Sequence, residues 1–383
     1  MKIYLIAGET SGDIIGSSLM IGLKKLYTEV KFFGVGGPLM QSEGMVSLFP
    51  MSELSVMGLT EILPKLFDLI KRKNQTVCNI FELNPDVVIT IDSPDFSLRV
   101  AKKVRKKSQV KIIHYVAPTV WAWRPKRAFQ MSGYVNHVLA LFPFEKKLME
   151  VGGMTCDFVS HPVIDYKLAS KEEVYLFRNE FNILDKKIIL VLPGSRISEV
   201  NRLTDVFKEA LFPVLLKHPD LQVVIPTTQN VYKIVKKLTD LWQIKPIILP
   251  PENNYFKRAA FMAADFALAA SGTVSLELAA NSVPMIVAYD MNFLSRFLMK
   301  FLLKTDSVTL VNLISDSRTV PEFLGSKCRP QHITKALMDL VGSSEGPQKQ
   351  LESQRKVMKL LRQGENYQGS IAALAVFNYL KNS

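Results

Sequence analysis

The feature that most narrows the fold is an alternation, sustained over most of the chain, between short apolar, β-rich runs and longer stretches of helical periodicity. That rhythm predicts parallel βαβ units. Strands are expected over 2–7, 31–36, 86–92, 111–116 and 137–142 in the first half, and over 187–193, 221–226, 246–249, 265–270 and 284–290 in the second. Several carry apolar residues at consecutive positions, as strands covered by helices on both faces do. The rhythm breaks around His161 and Pro162, a charged helical segment follows over 171–180, and the pattern then restarts. A chain of 383 residues also exceeds what one hydrophobic core usually organises. The expected class is α/β: two Rossmann-like domains with parallel sheets facing a cleft, over 1–165 and 166–345, and a C-terminal helical tail over 346–383.

Composition removes other classes. With 48% apolar and 22% charged residues the chain is an ordinary globular protein, not a disordered one. Cys78, Cys156 and Cys328 are odd in number and far apart, which fits a reducing compartment better than a disulfide framework or a metal site. The N-terminal apolar run is too short for a signal sequence and reads as the first strand. No uncharged apolar stretch approaches the ~20 residues a spanning helix needs; the most apolar tract, 259–271, contains Asp265. A cytoplasmic protein is expected. The net charge of +13 favours polyanionic partners, either nucleic acid or anionic lipid and phosphate, without choosing between them.

In open α/β sheets ligands bind beyond the carboxyl ends of strands, so loops that follow strands are where chemistry is sought. Five stand out. Gly8–Asp13 (GETSGD) opens a helix and offers Glu9 and Ser11 to a polar ligand. It lacks the spacing of a dinucleotide fingerprint and of a hydrolase elbow, and helix capping by Thr10 or Ser11 explains it about as well. In the second, Asp92 ends a buried strand, where a carboxylate can serve as a general base; Asp95 beyond it reads more naturally as the cap of the next helix. The third, 117–127, sets Trp121 and Trp123 beside Arg124, Lys126 and Arg127, able to stack on a sugar or base and hold phosphate, with one tryptophan expected in the core. In the fourth, Gly194 and Ser195 allow close backbone approach and Arg196 can clamp a phosphate; a capped helix with a surface Arg–Glu pair is the competing account. In the fifth, Ser271, Gly272 and Thr273 open a helix that carries Glu277 one turn on, where a carboxylate could accept both ribose hydroxyls. Glu277 lies four residues past Thr273, one too many for a capping box. No His/Cys/Asp cluster has metal-ligand spacing, and no metal or other cofactor is expected.

Two segments mix apolar and basic residues at helical spacing. One holds Leu63, Leu66 and Phe67 with Lys71, Arg72 and Lys73; the other holds Phe297 and Phe301 with Arg296, Lys300 and Lys304. Such helices suit an anionic bilayer surface, and equally an ordinary domain packing its apolar face inward.

The segments GETSGD, GVGGPLM, VMGLTEIL, IDSPDF, HYVAPTVWAWRPKR, FPFEK, LPGSR..EV, ASGTVSLE and KTDSVTLVNL follow in this order from residue 8 to 313. Together they closely resemble lipid-A-disaccharide synthases, glycosyltransferase family 19. The resemblance implies a GT-B architecture and transfer of a sugar from UDP-2,3-diacylglucosamine to 2,3-diacylglucosamine 1-phosphate (lipid X), giving UDP and the lipid A disaccharide 1-phosphate. It implies Asp92 as the essential aspartate and Arg196, Glu277 and Asn312 on the nucleotide side. It further implies an enzyme attached peripherally to the anionic inner-membrane surface, a tail that packs on the first domain or pairs with a partner subunit in a homodimer, and no nucleic-acid partner. The rival within enzymes is an activity like that of UDP-N-acetylglucosamine 2-epimerase on the same fold, which would need no amphipathic surface helices. A non-catalytic basic protein would leave the Asp92 loop and both nucleotide-type loops without a purpose.

Overall fold

A computed structural model describes residues 1–54, 59–118, 126–290, 307–343, 345–362 and 367–382, with the side chains of 59–65 and 368 excepted. The chain forms two compact units, Met1–Asp165 with Leu361–Ser383, and Tyr166–Leu360.

In the first unit, strands β1 (Lys2–Ala7), β2 (Lys31–Val35), β3 (Val46–Ser47), β4 (Val87–Ile91), β5 (Lys111–Tyr115), β6 (His137–Ala140) and β7 (Thr155–Phe158) form one parallel sheet in the order β3-β2-β1-β4-β5-β6-β7. Helices α1 (Thr10–Leu26), α2 (Pro38–Ser42), α3 (Leu59–Leu83), α4 (Pro94–Arg105), α5 (Lys126–Met131) and α6 (Pro143–Val151) lie between the strands in sequence. β1 and β4 are apolar almost throughout because both faces are covered, and Ile3, Leu5, Val88 and Ile89 are fully buried. Each such side chain contributes about 1.5–3 kcal/mol. Tyr4 is tolerated among them because its hydroxyl donates to Asn79 Oδ1 at 2.9 Å. The sequence rhythm misses β3 and β7. The first has two residues and shows no period, and the second is a half-exposed edge strand with polar positions.

The second unit repeats the plan. Strands β8 (Lys187–Leu192), β9 (Leu221–Pro226), β10 (Ile247–Leu249), β11 (Phe266–Ala269), β12 (Met285–Tyr289) and β13 (Glu322–Leu324) pair in parallel in the order β10-β9-β8-β11-β12-β13. Helices α7 (Lys171–Glu180), α8 (Ile197–Lys217), α9 (Tyr232–Thr239), α10 (Asn254–Ala263) and α11 (Val274–Ala280) are followed by Leu310–Ser315, Pro330–Gly342 and Glu345–Leu361. The three-residue β13 is again too short to show in the sequence.

The tail, expected as one segment over 346–383, is divided between the units. Helix Glu345–Leu361 belongs, up to Leu360, to the second. Its buried Gln350 accepts from the Met285 N–H at 2.8 Å, and Gln354 donates to the Val283 carbonyl at 2.8 Å, so two amides satisfy backbone groups at the start of β12. Helix Gln368–Lys381 belongs to the first unit and packs on α1. Phe377 meets Tyr27 with ring centroids 5.3 Å apart, and Tyr379 stacks on His137 at 4.4 Å. The two backbones approach closely enough that a Cβ on Gly22 would lie 2.6 Å from the Gly369 carbonyl oxygen. Helical periodicity marks which stripe of a helix is buried but not what buries it, which is why the tail read as one piece. No described helix is long and apolar enough to cross a membrane.

Candidate active site

Each sheet has one topological switch point, between β1 and β4 in the first unit and between β8 and β11 in the second. The loops after these four strands are four of the five that the sequence singles out.

In the first unit the β1 and β4 loops touch. A Cβ on Gly8 would lie 2.6 Å from Ser93 Oγ, so glycine is needed for the approach. Neither Thr10 nor Ser11 caps α1, whose N-cap is Glu9. The Ser11 hydroxyl instead donates to Asp92 Oδ2 at 3.4 Å. Asp92 and Ser93 take left-handed backbone conformations, with φ of 51° and 44°, and Val116 after β5 has φ 75°. A β-branched residue there stores strain on the order of 1–3 kcal/mol, and such strain gathers at functional sites. The turn is fixed by the Asp92 N–H, which donates to the Tyr115 carbonyl at 2.9 Å, and by the Ser93 N–H, which donates to Asp92 Oδ1 at 2.8 Å. Asp92 is half-buried. Burial raises its carboxyl above the usual aspartate range, and the bonds from Ser93 and Ser11 partly oppose the rise. The result is a half-buried ionisable carboxylate with a raised pKa, chemistry a general base can use.

The neighbouring residues divide. Asp95 does not cap α4, whose N-cap is Ser93; it is exposed and paired with Arg127 at 2.9 Å. The capping expectation fails because the tight turn at Asp92 and Ser93 starts the helix two residues earlier. Trp121, Trp123 and Arg124 lie outside the described residues. His114 on β5 is fully buried, with Nδ1 2.7 Å from Thr90 Oγ1. Burial, and then the charge of Arg127, push it down to about 3, so it is neutral at physiological pH. Asp13, unremarked in sequence, accepts the N–H groups of Gly37, Leu39 and Met40 at 2.9–3.0 Å and holds the start of α2 against α1. Its signal was the carboxylate in the first turn of a helix.

In the second unit Gly194 has φ 121°. Arg196 is the N-cap of α8; its side chain is largely exposed, with Nη1 3.0 Å from Glu199 Oε1. The expected Arg–Glu pair is therefore present, although Glu199 itself is buried. The Ser195 N–H donates to Glu199 Oε2 at 3.2 Å. After β11, Ser271 is half-buried and Gly272 and Thr273 are exposed, and a Cβ on Gly272 would meet nothing within 4 Å. Glu277 is half-buried, its pKa raised by burial against the opposing charge of Lys257, whose Nζ lies 3.8 Å away. Glu277 in turn acts on Tyr166, whose phenol is raised by burial and then by the charge of Glu277. Neither Lys257 nor Tyr166 was found in sequence, being about 20 and 111 residues distant with no shared motif. Asn312 is fully buried, and its amide bonds to Val320 N–H and C=O, at 3.0 and 2.9 Å, and to Glu322 at 3.1 Å. It ties the helix Leu310–Ser315 to the segment entering β13.

On α3, Phe67 is 83% exposed, with Leu66 and Ile70 also exposed beside it. The side chain of Leu63, and Phe297 and Phe301, lie outside what the structure describes. Among the described residues no group of three or more His, Cys, Asp or Glu side chains could hold a metal ion.

Two parallel sheets wound on the same plan, each with glycine-containing loops at its switch point, define a GT-B-type architecture. Solved structures agree on the fold. A UDP-N-acetylglucosamine 2-epimerase from Neisseria meningitidis, solved with UDP-GlcNAc, aligns with a TM-score of 0.64 at 14% identity over 100% of both chains. A glycosyltransferase from Rickettsia africae aligns with a TM-score of 0.61 at 15% identity over 100% of this chain and 98% of its own. The model of the lipid-A-disaccharide synthetase family matches residues 3–376. The lipid-A-disaccharide synthase of Ruegeria pomeroyi is 47% identical over 99% of this chain and 96% of its own length, and that of Rhodospirillum centenum 41% over 99% and 95%. The chain belongs to the lipid-A-disaccharide synthase family, and it is a glycosyltransferase of lipid A biosynthesis. The 2-epimerases share its fold only.

Proposed function

We propose that the chain joins UDP-2,3-diacylglucosamine to 2,3-diacylglucosamine 1-phosphate in one displacement that inverts the anomeric carbon. The acceptor 6-hydroxyl oxygen bonds to that carbon as the bond to the UDP oxygen breaks, and Asp92 takes the hydroxyl proton. The observation that carries this reading is Asp92 itself: a carboxylate with a raised pKa, held in a strained turn by Ser11 and Ser93 at the first unit's switch point. Glu9, Ser11, Asp95, Trp123 and Arg124 are assigned to the acceptor side with it. In the second unit Arg196 takes the departing diphosphate, where fixed positive charge stabilises the leaving group. Gly194 and Ser195 shape that loop. Ser271, Gly272, Thr273 and Glu277 receive the nucleoside, the carboxylate of Glu277 accepting ribose hydroxyls.

Acylated, anionic substrates reside in membranes, and Phe67 and Leu66 with the +13 net charge support docking on an anionic inner-membrane surface. The test is to supply each acylated sugar separately and then both. UDP released only when lipid acceptor accompanies the sugar nucleotide is the expected result; UDP released, or a sugar epimerised, without acceptor would overturn the assignment.

A further inference from the structure

A second feature of the donor loop lies beneath its surface. Glu199 is only 9% exposed, yet it sits at the mouth of the β8–α8 turn. Its Oε2 accepts the N–H of Ser195 at 3.2 Å and of Arg196 at 3.4 Å. Its Oε1 accepts Arg196 Nη1 at 3.0 Å and the Tyr289 hydroxyl at 3.4 Å. Gly194 is folded against it: with φ 121°, a Cβ on that residue would lie 2.6 Å from Glu199 Cβ. The turn is thus built around a buried carboxylate. The Ser195 and Arg196 N–H groups, which a free helix start would offer to a phosphate, are already engaged.

What remains available is the guanidinium. It carries five N–H donors, and among the described residues only Nη1 is committed. From these facts we infer that Glu199 is a positioning residue of the donor loop, holding the Arg196 guanidinium in place so that its remaining donors meet the nucleotide's diphosphate. The inference rests on the proposed function in that it takes this loop to bind UDP. A pre-set guanidinium has lost its rotamer freedom before the ligand arrives, so binding does not bear that cost. Asp13 shows the contrast: it makes the same kind of backbone contacts at α2, with no arginine bonded to it among the described residues, and there the role is structural.

The experiment is a double-mutant cycle on the full chain, with UDP as titrant and Tm measured for every variant. Arg196→Ala is expected to weaken UDP by about tenfold, which is ~1.4 kcal/mol. Glu199→Gln keeps the volume and one acceptor oxygen but removes the charge that holds Nη1, and is expected to weaken UDP several-fold. The double variant should bind no worse than Arg196→Ala alone. Losses that multiply would overturn the inference, as would tighter UDP binding by Glu199→Gln, which would mean that the carboxylate competes with phosphate. An unchanged affinity for Arg196→Ala is a different failure, because it removes the donor-loop reading itself. Should Glu199→Gln not fold, Arg196→Lys with Glu199 intact decides. A lysine cannot pair with Glu199 and also present a fork, so affinity near that of Arg196→Ala is expected, and full retention would overturn the proposal.

Discussion

Replacing Asp92 by asparagine separates the charge of the proposed catalytic turn from its shape. Asparagine is among the few side chains that tolerate left-handed backbone, so φ near 51° costs it little. Its carbonyl oxygen can still accept the Ser93 N–H now at 2.8 Å, and the Ser11 hydroxyl remains within reach. What disappears is the capacity to take a proton, worth about 10²–10⁴ in rate for a positioned general base. Stability should not suffer. Burial raises the folded carboxyl above its unfolded value, so its ionised form destabilises the fold above the folded pKa, and that cost fades as pH falls through it. At neutral pH the variant should therefore unfold within about 1 kcal/mol of the parent, a Tm change of about 2–4 °C for a unit of this size. The assay pairs acceptor-dependent UDP release with thermal unfolding and UDP titration. Expected are kcat lower by at least about a hundredfold, an unchanged UDP affinity and a retained Tm. Near-normal turnover would refute the assignment of the base, and a Tm loss of ten degrees would refute the account of the turn. If Asp92 is the base as proposed, the parent's kcat/KM should fall on the acid side with an apparent pKa above the ordinary aspartate value, because burial raises it; an acid limb at the ordinary value would contradict the proposal.

Three further outcomes are expected. Gly194→Ala forces a Cβ into the Glu199 side chain at a φ of 121° and should cost about 1–3 kcal/mol while weakening UDP binding; denaturant unfolding and UDP titration measure both. Gly22→Val drives a side chain against the Gly369 carbonyl and should destabilise the first unit by about 1–3 kcal/mol, with partial proteolysis near the last helix as the readout. Phe67→Ser, at an exposed position, should leave Tm and UDP affinity unchanged but reduce co-sedimentation with anionic vesicles; equal sedimentation would count against α3 as the docking face.

Much of the fold was legible because doubly covered strands advertise themselves. β1, β4, β8 and β11 are runs of consecutive apolar residues, and their observed ends lie within a residue of those expected. β3, β7 and β13 were not legible, since edge strands of two to four residues carry neither period nor a continuous apolar run. The site was legible by loop but not by partnership. Ser11 and Asp92 are 81 residues apart, and only the adjacency of β1 and β4 brings them together. Asn312 was legible only through its motif, and the backbone of Val320 and the carboxylate of Glu322 that hold its amide carry no sequence signal.

The return of helix Gln368–Lys381 to α1 also bears on how the molecule is made. A ribosome adds roughly 5–20 residues per second, so roughly 20–70 s separate the emergence of α1 from that of the helix that covers it. Through that interval the small-residue seam at Ser18 and Gly22 is bare while the entire second unit is being synthesised. The first unit is begun first and finished last. A chain interrupted anywhere in the second unit would leave that seam uncovered, marking it for chaperones and proteases as incomplete.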